Sequence, residues 1–165
     1  MYEEKINAYF DAPERRAELV EAISRLVRIR SVREEPLPGM PFGPGPAAAL
    51  AEGLKLAEEL GFATRNYDNY VGTADLNDKE TALHILCHLD VVGEGTGWTV
   101  TEPYAPKEVD GMLYGRGTAD DKGPMVAALL AMKAIRDLKL PLTKNVRLIA
   151  GTDEETGFRD IKWYY

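Results

Sequence analysis

Apolar positions recur at helical spacing in three stretches of the chain, which predicts three amphipathic helices. The first follows Asp-Ala-Pro-Glu at 11–14, a pattern typical of a capping box with an early proline. The second covers 47–60 and is expected to end at Gly61, and the third runs from about 123 to 138. A shorter acidic helix is predicted over 2–10.

Short apolar runs between these helices predict β-strands. Two strands are expected over 62–67 and 70–76, on either side of a turn at 68–69. The run at 82–87 is almost entirely apolar, which is typical of a strand buried on both faces of a covered sheet. A last strand is predicted over 145–150. Because helices alternate with apolar strands, we expect an α/β fold with a mostly parallel sheet flanked by helices.

Two segments predict irregular connections. Residues 33–46 contain five prolines and three glycines, and the stretch of about thirty residues up to Ala119 is also rich in both. Since such residues interrupt helices and strands, we expect both segments to be loops.

Composition excludes several classes of protein. The 165 residues are 45% hydrophobic, which is enough for one core, and the net charge of -7 argues against non-specific binding to nucleic acid. There is no apolar run long enough for a membrane span and no secretory signal at the start. The single cysteine, Cys87, cannot form an internal disulfide, so a cytoplasmic location is expected.

Potential metal ligands occur next to the ends of predicted elements. His88 and Asp90 follow one strand, Asp120 and Asp121 precede a helix, and acidic residues at 153–155 follow the last strand. Taken singly, they are also explained as a core histidine, a helix cap and a solvated turn. Together they supply imidazole and carboxylate groups at strand ends, where α/β sheets place their sites. This set suits zinc, cobalt or manganese better than calcium.

In order along the chain, the sequences HLDVV at 88–92, LYGRGTADDKGP at 113–124 and TDEE at 152–155 resemble the co-catalytic zinc peptidases of family M20. The resemblance is greatest to the bacterial dipeptidase branch of PepV-like or Sapep-like enzymes. It implies a zinc-exopeptidase-like layered fold. Residues 1–165 would then be the N-terminal part of a catalytic domain, without its C-terminal part or the lid and dimerisation domain.

The resemblance also assigns roles residue by residue. His88 resembles a terminal ligand of one zinc ion, and Asp90 resembles the carboxylate that orients it. Asp120 resembles the ligand that bridges both metals, followed by a cis peptide bond. Glu155 resembles a ligand of the other metal, and Glu154 the general base. The implied cofactor is a pair of Zn²⁺ ions, with Mn²⁺ or Co²⁺ as alternatives.

The function implied is metal-dependent hydrolysis of dipeptides. Because no histidine follows His88, each metal would have only two of its three family ligands in this chain, so we expect the chain alone to be inactive. The alternatives are an amide deacylase of the desuccinylase or aminoacylase type, and a non-catalytic fragment. The expected partner is a dipeptide or small amide, with no nucleic acid and no membrane, and the oligomeric state is left open.

Overall fold

The computed structural model describes all of residues 1–165 and contains five helices and six strands. The helices are α1 (Tyr2–Phe10), α2 (Pro13–Val27), α3 (Pro44–Glu59), α4 (Lys122–Asp137) and α5 (Arg159–Tyr164). The strands are β1 (Ala63–Tyr67), β2 (Val71–Asp75), β3 (Thr81–His88), β4 (Lys107–Val109), β5 (Met112–Tyr114) and β6 (Asn145–Gly151). The α/β class predicted from the sequence is confirmed.

The main sheet has four strands in the order β1-β2-β6-β3, and its pairing is mixed. Only β3 and β6 are parallel, joined by a crossover that includes α4; β1–β2 and β2–β6 are antiparallel. The expectation of a mostly parallel sheet is therefore wrong for these strands. The physical reason lies partly in the turn at Asp68 and Asn69, whose φ angles of 50° and 59° close a tight hairpin that forces β1 and β2 to be antiparallel.

Helices α3 and α4 pack on one face of this sheet, α2 packs against these two helices, and all three contribute to the core. On β2, β6 and β3 the alternate residues Ala74, Leu148, Ala150 and Cys87 belong to this core. Register places Cys87 opposite Ala150 and His88 opposite Gly151, so Cys87 and His88 lie on opposite faces.

The other face is covered in part by α5, which was not predicted from the sequence. Its aromatic side chains pack on those of the β1–β2 hairpin: Trp163 stacks on Tyr70 at 4.4 Å, and Tyr164 meets Tyr67 edge-on at 5.0 Å between centroids. These contacts hold a helix of only six residues against the sheet.

Strand β3 lies at the edge of the sheet, which corrects the prediction that it is buried on both faces. It pairs only with β6, and Leu83 and Leu86 remain 53% and 49% exposed. Apolar composition indicated burial, but an edge position leaves one side of the strand without a neighbour. The loop expected up to Ala119 also contains the β4–β5 hairpin.

The start of α2 differs in detail from the predicted capping box. Ala12 is the N-cap, and no side chain caps the helix; Pro13 instead occupies its first turn. The backbone N–H of Asp11 donates to the carbonyl of Asn7 and so ends α1. None of the helices combines the length and the apolar character that a membrane crossing requires.

Candidate metal centre

The parallel pairing of β3 and β6 brings two of the predicted segments together. His88, the last residue of β3, is paired with Gly151, the last residue of β6. The residues that follow each strand therefore leave the sheet at the same edge. Asp120 comes to this edge from the loop before α4, and its peptide bond to Asp121 is cis.

Three of the predicted ligands converge. One ligand atom each from His88, Asp120 and Glu155 lie within 4.8 Å of one another, as predicted from their positions at strand ends. Glu154 is adjacent, with Oε2 3.9 Å from Nε2 of His88. Asp120 is 76% exposed at its side chain, whereas His88 is largely buried, so the cluster opens to solvent on the Asp120 side.

The hydrogen bonds of His88 leave one ring nitrogen available for a metal. Nδ1 lies 3.1 Å from the carbonyl oxygen of Asp90 and 3.4 Å from its carboxylate. Since a carbonyl oxygen can only accept, Nδ1 carries a proton, and Nε2 is the nitrogen that a metal would bind. Nε2 lies 2.9 Å from Oδ1 of Asp120. Burial opposes the charged imidazolium, but hydrogen bonds that it donates to Asp90 and Asp120 outweigh burial and raise the pKa of His88 to about 9, so a metal at Nε2 would displace a proton.

Asp90 does more than orient His88. Its buried carboxylate accepts the backbone N–H groups of Glu154, at 3.1 Å, and Glu155, at 3.0 Å. One side chain thus joins the segment after β3 to the segment after β6. This second contact could not be predicted from the sequence, because it joins residues that are 64 positions apart.

The aspartate pair before α4 does not cap that helix with a side chain. Instead, Asp121 accepts the backbone N–H of His88 at 3.1 Å. The next residue, Lys122, is fully buried and donates to the carbonyls of Leu26 and Ile29 at 2.9 and 2.7 Å. Burial lowers the pKa of Lys122 to about 7. Asp121 and Lys122 therefore fix the segment that carries Asp120 between β3 and the end of α2.

Among the three consecutive acids of the last segment, one is neutralised within the chain. Asp153 is buried and is bound by the Arg159 guanidinium at 2.7 and 2.9 Å and by the Thr156 hydroxyl. Glu155 has no such partner; burial, followed by the charges of Asp120 and Glu154, raises its pKa. Of the three acids, only Asp153 is thus neutralised by an arginine.

The donor set fits a divalent metal. One imidazole nitrogen and carboxylate oxygens face each other, and their carboxylates hold uncompensated negative charge. This combination is typical of sites for zinc, manganese or cobalt. Such a cation would relieve the repulsion among Asp120, Glu154 and Glu155.

Two aromatic residues lie in a cavity that is separate from the candidate metal centre. Trp98 and Tyr114 line it together with Arg116, and none of the ligand residues contributes to it. Trp98 donates Nε1–H to the Glu94 carbonyl at 2.7 Å, and the Arg116 guanidinium lies 5.4 Å above its ring. These contacts favour a packing role.

The chain is similar to known peptidases. Residues 84–164 match the profile of peptidase family M20/M25/M40. The chain is 40% identical to YtjP of Bacillus subtilis, provisionally named a dipeptidase, over 92% of this chain and 33% of YtjP. It is 34% identical to a Staphylococcus haemolyticus protein with the same provisional name, over 100% of this chain and 34% of that protein. The chain therefore spans about a third of the length of these curated relatives.

Solved structures show the same relation. Human carnosine dipeptidase 1 superposes with a TM-score of 0.79 at 30% identity, over 98% of this chain and 37% of that protein. The dipeptidase Dug1p of Saccharomyces cerevisiae has a TM-score of 0.66 at 17% identity, over 98% of this chain and 36% of that one, and supports the fold alone.

Proposed function

We propose that the chain, whose residues 84–164 match the profile of peptidase family M20/M25/M40, belongs to that family and forms part of a metal-dependent dipeptidase. The observation that carries this proposal is the convergence of His88, Asp120 and Glu155 beside Glu154. Relatives named dipeptidases favour a dipeptide as the substrate over the acylated amides of a deacylase. A cytoplasmic location belongs to the proposal and is supported by the free, buried Cys87.

In this proposal His88 and Asp120 hold one Zn²⁺ ion, and Asp120 and Glu155 hold the second, with Mn²⁺ or Co²⁺ as alternatives. Three donor residues are too few for two metal ions. The proposal therefore includes further ligands from a longer protein, of which these residues form the N-terminal part of the catalytic domain. The relatives, about three times as long as this chain, support that part of it.

Glu154 is the proposed general base. Divalent cations at the cluster would polarise the scissile carbonyl and acidify the attacking water. The side chain of Glu154 is 34% exposed, so it can reach substrate, while Asp90 holds its backbone N–H. Its carboxylate accepts a proton from the water and returns it to the leaving amine. Asp90 keeps the imidazole of His88 in the tautomer that leaves Nε2 free.

The test compares Glu154→Gln with the unaltered full-length protein, using dipeptide turnover and metal content. Loss of a general base should lower kcat by about 10²–10⁴-fold, while the metal content stays unchanged. Glu102→Gln, an exposed glutamate outside the cluster, is the matched control and should keep full activity. A Glu154→Gln protein with most of its rate would contradict the assignment, and faster cleavage of N-acylated amino acids than of dipeptides would favour the deacylase.

A further inference from the structure

Four consecutive backbone amides after β6 are held by two buried carboxylates. Asp90 accepts the N–H groups of Glu154 and Glu155, as described above. The two preceding amides, of Thr152 and Asp153, donate to Oδ2 of Asp160 at 2.5 and 2.9 Å. The backbone that carries Glu154 and Glu155 is thus held on one side by Asp90, which follows β3, and on the other side by Asp160 of α5.

The Asp160 carboxylate contacts the backbone after β6 as well as its own helix. It is fully buried, and no lysine, arginine or histidine pairs with it. Oδ1 accepts the N–H of Ile161 at 2.7 Å, which is a local contact within α5. Oδ2 faces away from the helix, toward the turn after β6. Because a buried carboxylate without a cation is costly, its compensation comes from these amide donors.

Gly151 provides the space for this approach. A Cβ atom built on Gly151 would collide with Oδ2 of Asp160. The φ angle of Gly151 lies outside the left-handed region, so its backbone conformation does not require glycine. What requires glycine here is the close approach of the Asp160 carboxylate.

We propose that Asp160 is a positioning residue of the candidate metal centre. Together with Asp90, it holds the backbone of residues 152–155 so that Glu154 and Glu155 face His88 and Asp120. Asp160 acts through the backbone and contacts neither metal nor substrate. The part of this inference that concerns metal affinity rests on the proposed function. The part that concerns the hydrogen bonds of Asp160 to the backbone does not.

The test uses the 165-residue chain with Zn²⁺ alone as the probe. Asp160→Ala is compared with Asp160→Asn, which keeps an oxygen acceptor, and with Trp163→Ala, which removes the stacking of α5 on Tyr70. Gly151→Ala displaces the Asp160 carboxylate without removing it. Hydrogen exchange of the amides at 152–155 reports the backbone, calorimetric titration reports zinc affinity, and thermal unfolding reports stability.

We expect Asp160→Ala and Gly151→Ala to speed exchange at Thr152 and Asp153 and to weaken zinc binding, each at least tenfold. Asp160→Asn should recover part of both losses. Trp163→Ala should lower the unfolding temperature, yet keep exchange at these amides and zinc affinity within about twofold of the unaltered chain, because it loosens α5 without removing the acceptor.

Unchanged exchange at Thr152 and Asp153 in Asp160→Ala would overturn the inference. Equal losses in Trp163→Ala would also overturn it, because Asp160 would then serve only to dock α5. If the unaltered chain binds no zinc without those further ligands, the exchange rates alone decide whether Asp160 holds the turn, and the proposed function is decided by the Glu154→Gln test in the full-length protein.

Discussion

At the scale of single residues, Asp120 combines exposure with a short contact. Its side chain is 76% exposed, yet Oδ1 lies 2.9 Å from Nε2 of His88. A carboxylate so exposed adds little to stability, so its substitution should affect binding and not folding. Asp120→Asn should therefore lower Zn²⁺ affinity at least tenfold in a calorimetric titration, with the unfolding temperature unchanged. Asp78→Asn, an exposed aspartate in a loop, is the control. Equal affinity in both variants would contradict a ligand role for Asp120.

The convergence of the candidate metal ligands could be predicted from the sequence, but the backbone contacts that hold them could not. His88, Asp120 and Glu155 stand next to predicted strands or helices, and that placement sufficed to predict their convergence. The clamps formed by Asp90 and Asp160 depend on contacts between separate elements and on the fold of α5. Nothing in the residues next to Asp160 in the six-residue helix α5 indicates that its carboxylate is buried.

At the scale of elements, the pairing of β2 with β6 carries a charge contact that predicts a pH dependence. Asp75 receives two hydrogen bonds from the Arg147 guanidinium, both at 2.9 Å, and one from Asn145 at 2.6 Å. Burial opposes ionisation, but these donors outweigh it and lower the pKa of Asp75. The folded pKa then lies below the unfolded value of about 3.9, so the contact stabilises the fold above that pH and is lost as the pH falls through the folded pKa.

Asp75→Asn should accordingly reduce the free energy of unfolding by about 1 kcal/mol at pH 7. The difference from the unaltered chain should shrink below about pH 4, because the unaltered carboxylate then becomes protonated. Urea unfolding of both proteins at several pH values measures this difference in the free energy of unfolding. A difference that stays constant down to pH 3 would indicate that packing, and not charge, accounts for the loss.

Helices with a long apolar periodicity could be predicted from the sequence. Short strands were harder to predict, because their position depends on which other strands they pair with. Helices α3 and α4 matched their predicted ranges to within a few residues, since each has a sustained apolar face, whereas the short α5 was not predicted. The β4–β5 hairpin was missed although Asp110 and Gly111, with φ angles of 50° and 79°, form a typical hairpin turn between short strands. The edge position of β3 was missed because strand order depends on the whole sheet.

At the scale of the whole molecule, the free edge of β3 determines how copies of this chain should behave together. The strand contains no lysine, arginine, aspartate or glutamate, the charged residues that usually keep an edge from pairing. Leu83 and Leu86 are exposed on it. The net charge of -7 opposes association by repulsion between copies, and salt screens that repulsion.

We therefore expect the 165-residue chain to associate as its concentration rises, and more strongly at 0.5 M than at 0.05 M salt, as measured by sedimentation velocity. Leu83→Lys should reduce association at least fivefold, because it places a charge on the unpaired edge. Leu37→Lys is the matched control, since Leu37 is 51% exposed but lies in the loop before α3, away from the sheet. If both substitutions reduce association equally, general surface hydrophobicity and not the β3 edge drives the association. A chain that remains monomeric at all concentrations and salts would contradict the prediction, because the unpaired edge would then be insufficient for contact between copies.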